Sequence, residues 1–131
     1  MKEQGVNLLI VEEANSNSWL QKREIERWGH SVEWVECAWA ALRRLRQRRF
    51  DLVLVDIYLP DCMGHELIPR FKEIWPDIGV VVMTGYNSRE LELEVRRQGV
   101  IYYMIKPFSL EVLREILDHM VIKKEREVEV R

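Results

Sequence analysis

The chain has little of what many binding chemistries need. Its two cysteines, Cys37 and Cys62, stand far apart in sequence, form no CxxC pair and have no histidine cluster nearby. That spacing argues against a zinc site and a disulfide framework, and reduced thiols are expected. His30, His65 and His119 are isolated, so no histidine ligand set is expected either. No segment approaches the length needed to cross a bilayer, and the apolar stretch in MKEQGVNLLIV is too short for a signal peptide. A cytoplasmic location is the expectation. A dominant charge is also missing: 20 basic residues face 22 acidic ones, for a formal charge of −2. This gives no electrostatic case for direct binding to nucleic acid or to a membrane surface. Internal repeats and low-complexity tracts are absent.

What is present fits one domain, since 131 residues suffice to bury a sizeable core. Apolar runs alternate with helical patterns, the signature of repeated βα units and a parallel sheet covered on both faces. Strands are expected near 7–11, 32–36, 51–56, 79–83 and 101–105. Leu110, Leu113, Leu117, Met120 and Val121 form a helical stripe behind a Ser109 cap, and Ala38, Ala41, Leu42 and Leu45 form another. Between 88 and 98 only Leu91, Leu93 and Val95 stand among charges, so the fourth helix has little apolar area with which to anchor itself. The Glu92 to Arg96 pair adds only about 0.2–0.5 kcal/mol to it. Residues 1–123 are taken as the domain, and 124–131 as a charged tail, a frayed helix end or the stub of a linker.

The chemistry concentrates at the ends of four apolar runs. Leu52 to Val55 leads into Asp56, Leu8 to Val11 into Glu12 and Glu13, Gly79 to Met83 into Thr84, and Ile101 to Ile105 into Lys106. If these runs are parallel strands of one sheet, carboxylates, a hydroxyl and an ammonium converge on its carboxyl edge. Such a set suits phosphoryl handling: acids for a divalent cation, a carboxylate nucleophile, and donors for phosphoryl oxygens.

The segments LLIVEE, DLVLVDIYLPDCMGHEL, VVMTGY and YYMIKPF, in this order, resemble the receiver domain of two-component response regulators. The resemblance covers roughly the first 120 residues. It implies a flavodoxin-like, doubly wound (βα)5 three-layer α/β sandwich with a parallel five-stranded sheet of order 2-1-3-4-5. It makes Asp56 the phosphoacceptor, with a divalent cation, Mg²⁺ or alternatively Mn²⁺, held by Asp56, Glu13 and the backbone carbonyl of Tyr58, and Glu12 as the other acid of the pair. Thr84 and Lys106 become the phosphoryl-binding residues, and Tyr103 an aromatic switch on the surface of the fourth helix, fifth strand and fifth helix, where a dimer would form. Tyr58 and Tyr86 fall where relatives carry residues that orient the hydrolytic water, so two rings there predict slow loss of the phosphoryl group.

The implied partners are a histidine kinase or histidine phosphotransfer protein, docking near Ser16 to Leu20 and Pro107 to Phe108, and an effector domain or downstream protein. Such a domain catalyses only its own modification and is not a turnover enzyme. One departure from the family stands out. Glu13 replaces the usual Asp, and its extra methylene sets it against the near-ideal octahedral geometry that Mg²⁺ demands. That keeps a rival open, a receiver-like interaction module independent of phosphorylation. An aspartate-nucleophile phosphohydrolase would need an acid two residues after Asp56, where Tyr58 stands.

Arg43, Arg44, Arg46, Arg48 and Arg49 crowd the second helix and its exit. They read as a solvated helix face, with an acidic partner or nucleic acid as the sharper alternative. Trp28 is expected in the core at a helix end, whereas Trp19, Trp34 and Trp39 fit a buried pattern less well and suggest a contact patch.

Overall fold

The computed structural model describes residues 5–15, 18–107 and 109–130. Five parallel strands, β1 (Asn7–Val11), β2 (Ser31–Val35), β3 (Leu52–Asp56), β4 (Gly79–Thr84) and β5 (Tyr102–Ile105), form one sheet of order β2-β1-β3-β4-β5. Between and after them run α1 (Ser18–Arg27), α2 (Ala38–Gln47), a 3₁₀ turn (Gly64–Leu67) continuing into α3 (Ile68–Ile74), α4 (Arg89–Arg96) and α5 (Leu110–Val130). The flavodoxin-like three-layer sandwich expected from the sequence is the fold observed.

Alternation along the strands builds the two apolar layers. Leu9 and Val11, Val53 and Val55, and Val80 and Val82 face one side, where they meet Ala38, Ala41 and Leu45 of α2, Phe71 of α3 and Val95 of α4. Leu8 and Ile10, Leu52 and Leu54, and Val81 and Met83 face the other, against Ile25 of α1 and Leu113 and Leu117 of α5. Every residue of β3 is buried, as its uninterrupted apolar run requires.

Register then places the functional edge. Val11 lies beside Val55, Asp56 beside Met83, and Thr84 beside Ile105, so the residues ending these strands come level with one another. Chain order reverses between β1 and β3, the point at which open sheets of this kind present their sites.

Two details sharpen the sequence reading. The last helix runs on past Val121 to Val130, so of the readings given for the tail the helix end is the one seen, and Lys124 ties it to the foot of the sheet through the carbonyl of Gly5 at 3.1 Å and Oδ2 of Asp51 at 3.2 Å. Trp34 is more engaged than its sequence position suggests: it is half-buried, packs against the α1/α5 layer, and donates its indole N–H to the carbonyl of Glu12 at 2.9 Å. Trp28 packs against the same layer, while Trp19 and Trp39 are exposed.

Candidate functional site

Lys106 occupies the centre of the carboxyl edge. Its ammonium reaches Oδ2 of Asp56 at 2.5 Å and Oε2 of Glu12 at 2.6 Å. The backbone holds it there, because its N–H donates to the carbonyl of Thr84 at 2.8 Å as the chain leaves β5. Burial alone would lower the ammonium pKa, but the hydrogen bonds it donates to Asp56 and Glu12, together with their charges, outweigh it and the net direction is upward. Lys106 is therefore charged at neutral pH. Glu12 shifts upward as well, since its burial exceeds the pull of Lys106. A single cation thus bridges two acids drawn from strands that are neighbours in space and distant in sequence.

Glu12 and Glu13 have opposite environments. Glu12 is buried and its Oε1 has no hydrogen-bond partner, whereas Glu13 is exposed. A buried carboxylate oxygen left without a donor is costly, and a cation or a bound water would satisfy it. Among the described residues no three His, Cys, Asp or Glu side chains gather as a ready-made metal cage. The available donors are instead the free oxygen of Glu12, the carboxylate of Asp56 and nearby backbone carbonyls. That set fits a hard cation which retains much of its own water, and it does not require Glu13 in its observed position.

Of the other predicted residues, Tyr58 contacts Asp56 directly, and Thr84, Tyr86 and Tyr103 make contacts with one another's loops and with Tyr58 and Asn87. Tyr58 N–H donates to Oδ1 of Asp56 at 3.2 Å. Thr84 is fully buried, and its Oγ1 accepts from Tyr86 N–H at 3.0 Å and donates to the Tyr86 carbonyl at 3.3 Å, so the hydroxyl is engaged with its own loop. Tyr103 is buried with its hydroxyl on Oδ1 of Asn87 at 2.7 Å, while its neighbour Tyr102 is exposed, as strand alternation requires. The rings of Tyr58 and Tyr86 meet edge to face, 5.5 Å apart at 89°. Of the expected kinase-docking positions, Ser16, Asn17 and Phe108 lie outside the described residues.

The loop after Asp56 is closed on itself. Tyr58 pairs with Met63 in an isolated antiparallel bridge, and Gly64 N–H donates to the carbonyl of Ile57 at 2.6 Å. Gly64 has no substitute here, because a Cβ on it would lie 1.9 Å from the Asp56 carbonyl oxygen. Directly after it, buried His65 turns its Nε2 toward Oε2 of Glu94 on α4 at 3.4 Å, and its Nδ1 has no partner. Lys72 of α3 reaches the other end of α4, donating to the carbonyls of Gln98 and Gly99 at 2.8 Å each. Sequence reasoning missed His65, Lys72 and Asn87. Each is a polar residue whose partner lies 16 to 29 positions away, and no local pattern announces such a pair.

Comparison with known proteins identifies the family and agrees with the fold. The chain matches the response regulator receiver domain family over residues 8–118. It is 30% identical over 118 residues to the transcriptional regulatory protein ZraR of Escherichia coli O157:H7, covering 90% of this chain and 27% of that protein. The chain thus spans about a quarter of the length of the curated relatives it matches. Among solved structures, a response regulator receiver domain protein from Methanospirillum hungatei JF-1 superposes with a TM-score of 0.84 at 28% identity, covering 94% of this chain and 98% of that one. A response regulator from Burkholderia pseudomallei, solved with a phosphorylated aspartic acid, a calcium ion and citrate, shares the fold with a TM-score of 0.79 at 24% identity, over 95% of this chain and 74% of that one. The chain belongs to the receiver domain family of two-component response regulators.

Proposed function

We propose that this receiver accepts a phosphoryl group on Asp56 from a histidine kinase or histidine phosphotransfer protein and thereby changes its affinity for an effector domain or downstream partner. The observation that carries this reading is the bridge from Lys106 to Asp56 and Glu12. A carboxylate attacking a phosphoryl donor brings two anions together, and an ammonium fixed between two buried acids is set to offset that repulsion. In the transfer, a carboxylate oxygen of Asp56 forms a bond to phosphorus while the P–N bond of the donor histidine breaks, its electron pair staying on the imidazole. Lys106 follows the charge onto the phosphoryl oxygens.

Asp56, Glu12 and the Tyr58 carbonyl are the donors we assign to a divalent cation, with Glu13 reaching it only if its loop turns inward. Mg²⁺ is the first choice and Mn²⁺ the alternative. Once bound, such an ion supplies further neutralisation of the attacking and transferred oxygens. Thr84 then exchanges its bonds to Tyr86 for a phosphoryl oxygen. That exchange loosens the loop carrying Asn87, the partner of Tyr103, and alters the surface of α4, β5 and α5, where a dimer or effector would read it. The paired rings of Tyr58 and Tyr86 limit water access, so the phosphoryl group is lost slowly, and Tyr58→Asn or Tyr86→Glu should shorten its lifetime.

Intact mass after incubation with acetyl phosphate tests the acceptor. Gain of one phosphoryl group that needs Mg²⁺ or Mn²⁺ and is absent in Asp56→Asn is the expected result. No gain with either ion would leave the rival reading, a phosphorylation-independent interaction module, which is favoured by the exposed position of Glu13.

A further inference from the structure

The five arginines on α2 and its exit have different surroundings. Arg44 holds Glu33 of β2 through Nε and Nη2 at 2.7 and 2.6 Å, and Arg48 holds the same carboxylate at 2.8 Å. Arg49 grips Asp77 at 2.7 Å and lies 5.0 Å over the ring of Trp75. Arg43 and Arg46 remain, and neither meets a carboxylate among the described residues. The basic cluster seen in the sequence therefore reduces to two uncompensated cations.

These two share a helix face with Trp39, at positions i, i+4 and i+7. All three are exposed, Trp39 by 64%, and the Arg43 guanidinium lies 5.3 Å from the Trp39 ring centre. A cation in the last turn suits the helix dipole, which is reason enough for Arg46 alone. It gives no reason for a largely solvated indole in the first turn, or for an arginine stacked upon it. The first turn is also fixed from outside the helix. Cys37 makes no side-chain cap, and Asp61, from the loop after β3, accepts instead from the N–H groups of Ala38 at 2.8 Å and Trp39 at 3.0 Å. Those bonds, that of Ala38 first, hold the Asp61 carboxyl below its ordinary range, so its charge is engaged at the helix end and not with the arginines.

We propose that the ridge Trp39, Arg43 and Arg46 of α2 docks an acidic segment of a partner protein. Trp39 takes an apolar residue of that segment and the two guanidiniums take its carboxylates. Stacking pre-orients the Arg43 fork, so less freedom is lost when a carboxylate arrives. Trp and Arg are the residue types most often found to dominate binding at protein interfaces. Nucleic acid is the weaker fit, because two cations on a chain of net charge −2 neutralise few phosphates. None of the three residues belongs to the Asp56 cluster, so the proposal does not depend on phosphoryl transfer.

An array of short random peptides, probed with the labelled intact chain, tests it, with a short DNA duplex titrated in parallel. Bound peptides should be enriched in Asp and Glu beside an aromatic or aliphatic residue. Binding should fall about tenfold in Trp39→Ala, and in the double variant Arg43→Glu with Arg46→Glu the preference should move toward Lys-rich peptides. These side chains are exposed, and circular dichroism checks that each variant is folded. Absence of acidic enrichment, enrichment that survives charge reversal, or tighter binding to the duplex than to any peptide would overturn the proposal.

Discussion

α2 and α4 lie on the same face of the sheet and are attached to it by different means. α2 buries Ala38, Ala41 and Leu45, and Trp75 donates its indole N–H to the carbonyl of Leu45 at 2.7 Å. α4 buries only Val95. Polar contacts hold it in addition: Ser88 caps its start through Leu91 N–H at 3.1 Å, Lys72 holds the carbonyls just past its end, and His65 Nε2 lies 3.4 Å from Glu94 Oε2. Apolar burial is non-directional and weakens gradually as surfaces slide, whereas a hydrogen bond fails over a fraction of an ångström. A helix held over little apolar area, with such bonds at its ends, depends more on their geometry than α2 does.

The largest effect should come from α2. Leu45→Ala removes a fully buried side chain and should cost about 2–5 kcal/mol in chemical denaturation, with amide exchange rising across the whole domain. A comparably global response to any single α4 substitution other than at Val95 would break the contrast.

Acidification offers a second global perturbation, acting on the opposite layer. His30 is buried, and its Nδ1 accepts from Val6 N–H at 3.0 Å. Burial lowers its pKa below the ordinary 6.5, against the opposing pull of Asp118. The unfolded chain takes up a proton near that ordinary value while the folded chain does so only at lower pH. Stability is therefore full above about 6.5 and is lost as pH falls from there through the depressed folded value. A His30→Gln variant should flatten this part of the profile, and an unchanged slope would place the acid sensitivity elsewhere.

On α4 the effects should be smaller and local. Lys72→Met leaves the carbonyls of Gln98 and Gly99 to water and should cost about 1 kcal/mol, with faster amide exchange confined to residues 89–99. Weakest of all, Glu92→Gln breaks the exposed pair with Arg96, 2.8 Å apart, and should change stability by only about 0.2–0.5 kcal/mol. Global loosening from either would contradict the picture of a separately attached helix.

Much of this was legible in the sequence because periodicity and order carry it. The apolar runs located all five strands to within a residue or two, and the scarcity of apolar residues between 88 and 98 matches the single residue that α4 fully buries. Asp56, Glu12, Thr84 and Lys106 were readable because each ends such a run and register does the rest. Which of Glu12 and Glu13 turns inward was not readable, since two adjacent acids differ only in where the chain bends after β1. Nor were the partners of Arg44, Arg48 and Arg49, which reduce a run of five cations to two, because pairing of long side chains across elements leaves no periodic trace. The reach of α5 was underestimated for a similar reason: its charged last turns have no apolar stripe, and Lys124 is tied to Gly5 and Asp51, at the far end of the chain and at the start of β3.

The contact between Gly64 and the Asp56 carbonyl also limits how this loop can be redesigned. Where a Cβ would overlap a neighbouring backbone oxygen, any residue but glycine must push the backbone aside. A library that varies the 3₁₀ turn should therefore keep residue 64 fixed and begin at His65, whose Nε2 lies 3.4 Å from Glu94 of α4. Gly64 thus sets how closely the 3₁₀ turn can rest on the strand end that carries Asp56.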